Sequence, residues 1–228
     1  MTSFLEMATI AERVAYIRQA IPETVRLIAV TKQVSISAMR QAYSAGIRDF
    51  GESRIQEAEA KRTELSDLTD VTWHLIGHLQ ANKAQKAIQL FEWIHSIDSL
   101  RLAERVNRLA MEQGVTPELC LQVKLLSDPN KYGWSVTQLM ADLPRLDCLE
   151  RVNIRGLMTI APAALNQDEL LAFFQQTREL AQQINQLSLS RICMEQLSMG
   201  MSDDYPLAIQ SGATMIRLGR VLFGQRNL

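Results

Sequence analysis

Short apolar runs alternate regularly with longer amphipathic stretches along the chain, and this pattern limits the folds that the chain can adopt. The apolar runs have the length of strands, and the stretches between them repeat their apolar residues at helical spacing. We predict eight strands, at residues 26–31, 47–51, 72–77, 93–97, 119–125, 153–158, 191–197 and 215–218. We predict helices near residues 35–45, 54–65, 82–90, 100–113, 135–143, 167–187 and 203–211, and another within residues 1–21.

Strands that alternate with helices are typical of parallel β-α-β units. Eight such units without a break in composition favour the α/β class, as a single (β/α)8 TIM-type barrel with an extra N-terminal helix. On this interpretation residues 1–228 form one domain. An open, doubly wound sheet has the same local pattern and remains the alternative.

Composition limits the classes of function. The chain has 228 residues, is 47% hydrophobic and carries a net charge of -1, so no global charge favours nucleic acid or an anionic membrane. No apolar run approaches the length of a membrane span. The isolated Cys120, Cys148 and Cys193 predict neither a disulfide framework nor a zinc site, and no other residue spacing predicts a metal site. We therefore expect a cytoplasmic protein.

The first predicted strand, within LIAVTKQVS, ends at Lys32. In an α/β barrel the chemistry gathers where strands end and the following loops begin. Taken alone, this position favours an ordinary lysine whose amine reaches solvent. The same amine could also be a nucleophile held at the mouth of the barrel.

The loops after strands 7 and 8 have features of a phosphate site. In LSMGMSDD, Ser198 and Ser202 offer hydroxyl groups and Gly200 allows close approach of the backbone. In RLGRVLFG, Gly219 precedes a helix whose N-terminus can face an anion. Either loop alone could be purely structural, but barrels often bind phosphate at these two positions, so together they predict a phosphorylated ligand. Arg217 could face that ligand or pair with a carboxylate.

Several motifs in colinear order point to one family: AVTKQVS, DFGESRIQEAEAK, WHLIGHLQANK, IHSIDS, NKYGW, RGLMTIAP and LSMGMSDDYPLAIQSGATMIRLGRVLFG. The sequence resembles the pyridoxal phosphate homeostasis protein family, also called proline-synthetase co-transcribed homologues, from about Val25 to Gly224. The resemblance implies a fold-type III pyridoxal phosphate barrel similar to the N-terminal domain of alanine racemase.

The resemblance also implies a cofactor and its contacts. Pyridoxal 5'-phosphate would be held as a Schiff base on Lys32. The residues implied at or near its phosphate are Ser198, Gly200, Ser202, Gly219 and Arg220.

Two further positions follow from the same resemblance. By analogy with the related racemases, Arg217 would face the pyridine nitrogen and keep it unprotonated, which makes the ring a weaker electron sink. Family members usually read GEN where this chain reads Gly51-Glu52-Ser53. We expect Ser53 at the cofactor site, with a shorter reach than the usual asparagine.

Three functions remain open. The first is a carrier that binds pyridoxal phosphate on Lys32 in intracellular cofactor homeostasis, without catalytic residues. The second is a pyridoxal phosphate-dependent amino-acid racemase or related enzyme with weak activity. The third is a class I aldolase, in which a barrel lysine forms an imine with a sugar phosphate and no cofactor is needed.

We expect the carrier. Two-base racemases of this fold type resemble the present barrel followed by a β-rich domain that supplies an opposing tyrosine, and this chain ends at Leu228. The expected partners are pyridoxal phosphate and apoenzymes that use it, with no nucleic acid and no membrane. We expect the protein to be a monomer.

Overall fold

The computed structural model describes residues 8–126 and 132–224. Within them, eight parallel strands close into a barrel in chain order, and the last strand pairs back on the first, with Ala29 opposite Leu218. The strands are β1 Arg26–Val30, β2 Asp49–Glu52, β3 Thr72–Leu75, β4 Trp93–Ile97, β5 Glu118–Gln122, β6 Asn153–Met158, β7 Gln196–Ser198 and β8 Met215–Leu218. The predicted barrel is confirmed, and the open sheet is wrong.

Helices follow the strands as predicted. Those in the described residues are α1 Ile10–Ala20, α2 Ile36–Ser44, α3 Ile55–Glu64, α4 Ala84–Leu90, α5 Leu100–Gln113, α6 Val136–Leu146, α7 Gln167–Asn185, α8 Tyr205–Gln210 and α9 Arg220–Phe223. A short 3-10 helix, Ala81–Lys83, precedes α4. The single-domain prediction for residues 1–228 stays a prediction, because residues 1–7, 127–131 and 225–228 lie outside the described part.

Local hydrogen bonds explain where the helices begin. Helix α1 begins after Thr9, whose hydroxyl accepts from the backbone of Glu12 while the Glu12 carboxylate accepts from the backbone of Thr9. This reciprocal capping box fixes the first turn. Ser135 caps α6 in the same way. The N-terminal helix is therefore shorter than residues 1–21, and the first seven of those lie outside the described residues.

Several predicted boundaries are wrong: β2 begins at residue 49 and not at 47, and β3 ends at residue 75 and not at 77. Side-chain hydrogen bonds to the backbone explain two further differences. Strand β7 is shorter than residues 191–197 because the Asp147 carboxylate accepts the backbone N–H groups of Ser190, Arg191 and Ile192. Helix α8 begins two residues later than predicted because the Asp204 carboxylate accepts from the backbone of Met201 and forms a turn there. Strand β5 ends at Gln122, not at residue 125.

The strands are buried on both faces. Leu27 and Ala29 belong to the large core between strands and helices, whereas Ile28, between them, packs in a separate cluster. Because side chains alternate along a strand, this cluster fills the barrel interior. Its other members come from β4, β5, β6 and β8: Trp93, Cys120, Met158 and Met215. No described helix is long and apolar enough to cross a membrane.

Candidate functional site

Lys32 lies in a tight turn directly after β1. The turn closes with a 2.9 Å hydrogen bond from the Val34 N–H to the Thr31 carbonyl oxygen. Gln33 has a φ of 59°, and among the described residues it alone is a non-glycine with positive φ. Lys32 is half-buried, and its amine has no hydrogen bond or ion pair with any described residue. The turn therefore presents a primary amine that the surrounding protein leaves unpaired.

A buried hydrogen-bond network around the Lys61 ammonium anchors this turn. The Lys61 ammonium donates to the Thr31 carbonyl (2.6 Å), to Glu52 Oε1 (2.8 Å) and to Glu57 Oε1 (2.6 Å). Glu57 Oε1 also accepts from the Gln33 N–H at 2.5 Å, and Glu52 Oε1 from the Thr31 hydroxyl at 2.6 Å. The residues on both sides of Lys32 are thus fixed through one lysine.

The two carboxylates of this network respond differently. Burial raises the pKa of Glu52, although the Lys61 ammonium opposes the rise. Burial also acts to raise the pKa of Glu57, but hydrogen bonds from Lys61 and Gln33 outweigh it and lower that pKa. Glu52 Oε2 is buried and has no hydrogen-bond partner among the described residues. Glu52 is therefore costly to keep charged, and Lys61 is the cation that offsets this cost.

The loops after β7 and β8 touch each other. Gly200 has a φ of +95°, and a Cβ added there would lie 2.7 Å from the Ala208 Cβ, so both conformation and space require glycine. The Ser202 hydroxyl accepts from the Val221 N–H at 3.5 Å. Arg220 forms an ion pair with Asp203 at the exposed edge. The structure thus brings Ser202 to the start of α9, as the predicted phosphate site requires.

Gly219 plays a different part from Gly200. It is the N-cap of α9 with a φ of -114°, which other residues adopt as well, so its conformation does not require glycine. The backbone N–H groups of Gly219 and Arg220 donate to no described backbone carbonyl. These groups are therefore available to an anion at the start of α9.

Arg217 is buried, and the carboxylate that acts on its charge, Asp204, lies beyond ion-pair distance. One of its Nη atoms donates to the carbonyl and to the hydroxyl of Ser198, both at 2.6 Å, and the other donates to the Thr159 carbonyl at 2.8 Å. No described carboxylate forms an ion pair with it, so the structural alternative raised from sequence does not hold. Burial lowers the pKa of Arg217 to about 10, which still leaves the guanidinium charged at neutral pH.

A row of interior hydrogen bonds continues from Ser198. The Ser198 hydroxyl lies 2.8 Å from His95 Nδ1, His95 Nε2 lies 3.0 Å from His74 Nδ1, and His74 Nε2 lies 2.9 Å from Asp49 Oδ1. Trp73 and His74 point to opposite faces of β3, and His74 is the one that faces the interior. The row was not predicted from the sequence, although His74 and His95 stand on the neighbouring strands β3 and β4.

Ser53 follows β2, next to the Lys32 turn after β1. It is half-buried, and its side chain makes no hydrogen bond to another described residue. Its backbone packs so closely on Gly77 that a Cβ there would lie 2.3 Å from the Ser53 carbonyl oxygen. No hydrogen bond or ion pair among the described residues joins Lys32 to Ser53 or to the phosphate loops. They share only the C-terminal end of the barrel.

A small cavity opens at the same end of the barrel. It has a volume of about 220 Å³, and its lining includes Gly77, His78, Lys124 and Tyr132. The His78 ring stacks on Tyr132 with centroids 3.6 Å apart, and its Nδ1 lies 3.1 Å from an Asp98 oxygen. The His78 ring is therefore already held by Tyr132 and Asp98. Among the described residues no group of three or more His, Cys, Asp or Glu is arranged to hold a metal ion.

Comparison with known proteins identifies the family to which this barrel belongs. The family model described as "Alanine racemase, N-terminal domain" matches residues 5–227. The pyridoxal phosphate homeostasis protein of Synechocystis sp. is 50% identical over 206 residues, which cover 90% of this chain and 94% of that protein. This chain belongs to the pyridoxal phosphate homeostasis protein family. The resemblance seen in its motifs is confirmed.

Solved structures agree with this assignment. PipY of Synechococcus elongatus, solved without pyridoxal phosphate, superposes with a TM-score of 0.92 at 55% identity, over 95% of this chain and 100% of PipY. PipY with pyridoxal phosphate bound gives 0.91 at 53% identity, with the same coverage. An alanine racemase of Clostridium difficile gives 0.75 at 14% identity, over 97% of this chain and 58% of the racemase. The racemase likeness shows the fold alone.

Proposed function

We propose that this protein binds pyridoxal 5'-phosphate on Lys32, at the C-terminal end of the barrel, and serves in cofactor homeostasis. The observation that carries the proposal is the half-buried Lys32 amine, which has no described partner although both residues beside it are anchored. An amine kept out of ion pairs on a fixed turn suits reversible attachment of an aldehyde. The names of the relatives and the cofactor bound to PipY support the same ligand.

The chemistry of the remaining residues fits this cofactor. A phosphate would be held by Gly200, Ser202, Gly219 and the backbone at Arg220, where glycine conformation and unpaired N–H groups favour an anion. When bound, the cofactor supplies an aldehyde that combines reversibly with amines. Arg217 is a buried cation without a carboxylate partner, so it suits a neutral acceptor such as a pyridine nitrogen.

Ser198 and Ser53 complete the proposed site. The Ser198 hydroxyl already contacts His95 and Arg217, so its part in this proposal is to hold the guanidinium beside the ring. Ser53 directly follows β2, which pairs with β1, the strand before Lys32. Its unpaired hydroxyl would face the cofactor edge.

The role proposed is that of a carrier and not of an efficient enzyme. The chain would keep the reactive aldehyde attached, limit its free concentration and pass it to apoenzymes in the cytoplasm, acting as a monomer in one domain over residues 1–228. The naming of the relatives after homeostasis supports this role. The alternative is a racemase of weak activity, which the alanine racemase fold keeps open.

The decisive experiment is a visible absorption spectrum of protein purified after incubation with pyridoxal phosphate. The wild type should show a band that borohydride fixes on Lys32, located by peptide mass spectrometry. Lys32→Ala should show neither, and Lys83→Ala, at an exposed lysine, should behave like the wild type. A colourless wild type would contradict the proposal and favour the aldolase.

A second measurement separates the carrier from the racemase. The loaded wild type should leave the optical rotation of L-alanine unchanged over many hours at micromolar protein. Enzyme-like racemisation that disappears in Lys32→Ala would favour the racemase instead.

A further inference from the structure

The interior row from Asp49 to Arg217 is continuous across the barrel. It passes from β2 to β3, β4, β7 and β8, and each of its four gaps is between 2.6 and 3.0 Å. His74, His95 and Ser198 have no exposed surface. No part of the proposed cofactor chemistry uses the two histidines. The two buried imidazoles instead form hydrogen bonds with each other and with the serine that contacts the Arg217 guanidinium.

The two ends of the row determine where its protons lie. Arg217 can only donate, so the Ser198 oxygen must accept from it and the Ser198 hydroxyl proton must point elsewhere. Of the described neighbours of that hydroxyl, His95 Nδ1 is the one that can take this proton, and it can do so only when it is unprotonated. At the other end an ionised Asp49 can only accept, so His74 Nε2 must carry a proton.

The middle contact follows from the same rules. A neutral imidazole has one donor and one acceptor nitrogen. His95 therefore has its proton on Nε2 and donates it to His74 Nδ1, which is the acceptor left on the second ring. The opposite order would leave the buried Ser198 hydroxyl proton without a described acceptor and would need a proton on Asp49. Burial lowers the pKa of both histidines, consistent with neutral rings.

Groups packed around the row do not disturb this order. Arg26 lies 3.7 Å from Asp49 and stabilises the carboxylate as an acceptor. Trp93 stacks on His74 with centroids 6.1 Å apart and offers no charge. Burial raises the pKa of the Cys120 thiol to about 12, so that thiol stays neutral near Arg217. Glu92 forms no hydrogen bond with either ring, although its charge acts to raise the pKa of His74.

We propose that Asp49, His74, His95 and Ser198 form a proton-ordered row that positions the Arg217 guanidinium. Both rings are neutral with the proton on Nε2, and the Ser198 hydroxyl is committed to His95. Two consequences follow. The guanidinium donates to the Ser198 oxygen, and the orientation of that hydroxyl is fixed through the two histidines by Asp49 on β2. The Ser198 hydroxyl has no proton left for a phosphate, so backbone and other hydroxyl groups must bind that anion.

The proton order itself needs no cofactor, and only the positioning of Arg217 toward a ring nitrogen rests on the proposed function. The order can therefore be tested on the protein without ligand. The chain contains three histidines, His74, His78 and His95, so ¹⁵N-histidine labelling gives few signals. Substitution of each histidine by glutamine in turn assigns them.

A long-range ¹H–¹⁵N correlation spectrum at pH 7 distinguishes the two neutral tautomers from the cation. We expect His74 and His95 to be neutral with the proton on Nε2. A proton on Nδ1 of either ring, or a cationic ring, would overturn the proposed order. A wild-type protein that stays colourless after incubation with pyridoxal phosphate, with this order intact, would instead remove only the proposed function.

The positioning role is tested with two substitutions at one position. His95→Leu removes both the acceptor for Ser198 and the donor to His74, whereas the amide of His95→Gln offers one acceptor and one donor. We expect His95→Leu to weaken pyridoxal phosphate binding about tenfold or more, measured by absorption titration. We expect His95→Gln to recover most of the affinity.

Folding is checked separately, because a core defect would also weaken binding. His95→Leu should keep the wild-type far-ultraviolet circular dichroism and a cooperative urea transition. Equal affinities in the wild type and His95→Leu would overturn the positioning role, and so would equal losses in both variants. Should His95→Leu fail to fold, the comparison of His95→Gln with the wild type and the tautomer spectrum decide.

Discussion

The ammonium of Lys61 donates a 2.6 Å hydrogen bond to the carbonyl oxygen of Thr31, the residue directly before Lys32. Lys61 stands on α3 and is itself buried, so it reaches the end of β1 from the neighbouring unit of the barrel. It also neutralises Glu52 and Glu57, and Glu57 accepts from the residue after Lys32. The position of Lys32, which has no described partner, thus depends on the buried, ion-paired Lys61.

Lys61→Met should destabilise the protein and loosen the turn. It keeps the length of the side chain but leaves the buried Glu52 carboxylate without its cation, and removing one partner of a buried ion pair costs about 3–5 kcal/mol. We expect the free energy of unfolding, measured by urea denaturation, to fall by about 3 kcal/mol, the lower end of this range, because Glu57 is only partly buried.

The same substitution should slow borohydride-trappable attachment of pyridoxal phosphate to Lys32. Lys86→Met is the matched control, since Lys86 forms an exposed ion pair with Glu59, for which about 0.2–1 kcal/mol is typical. Equal losses of stability in the two variants would contradict the role assigned to Lys61.

Gly200→Ala should cost more stability than Gly114→Ala. Both glycines have positive φ, +95° and +67°, so each alanine pays for a left-handed backbone, at about 1–2 kcal/mol. A Cβ at Gly200 would also lie 2.7 Å from the Ala208 Cβ, whereas nothing lies within 4 Å of one at Gly114. The excess measured by urea denaturation at Gly200 should be about 1–3 kcal/mol.

Binding gives a second readout for this pair of variants. Gly200→Ala should weaken pyridoxal phosphate binding, because the backbone of the loop after β7 must move to admit the methyl group. Gly114→Ala, at the end of α5, should bind as the wild type does. Wild-type affinity in Gly200→Ala would remove this loop from the proposed site.

Periodicity predicts the barrel well because each unit buries its own strand. The bounds of β4, β6 and β8 and of α5 agree with prediction residue by residue. Boundaries fail where a distant side chain takes the backbone hydrogen bonds. Asp147 does so for the residues before β7, and no local pattern shows that a carboxylate 43 residues away will bind Ser190.

The candidate site was predictable only in part. Lys32, Gly200 and Arg217 stand at strand ends or in loops, where the barrel fold itself draws attention to polar residues. Lys61 and Glu57, which anchor the turn at Lys32, do not stand out in the sequence. They look like an ordinary helical ion pair four residues apart. Their joint burial beside Glu52 depends on how α3 packs on the barrel, which the local pattern does not contain.

Stability should fall as the pH is lowered below about 6.5, the ordinary pKa of histidine. Burial lowers the pKa of His74 and of His95 in the folded protein, so below this pH the unfolded chain binds more protons than the folded one. The free energy of unfolding therefore decreases with decreasing pH, by up to about 1.4 kcal/mol per pH unit for each histidine.

His95→Gln removes one of these two groups and should reduce the slope between pH 6.5 and 5 by up to about 1.4 kcal/mol per unit. Urea denaturation at several pH values measures it. Arg26, Arg217, Asp49 and Glu92 are the charged neighbours, and they are retained in the variant. An unchanged slope would mean that His95 is not neutral in the folded protein at these pH values.

Arg217→Lys should be far from conservative. The guanidinium reaches the Ser198 carbonyl, the Ser198 hydroxyl and the Thr159 carbonyl at once, and a single ammonium cannot reproduce this planar fork. Buried acceptors left without donors cost about 1–3 kcal/mol each, so we expect a loss of about 2–4 kcal/mol in urea denaturation. Arg220→Lys is the matched control, because Arg220 is exposed and forms a surface ion pair with Asp203. There the expected change is below about 1 kcal/mol. If the two variants lost equal stability, Arg217 would not be the link between the ends of β6, β7 and β8 that its three hydrogen bonds make it.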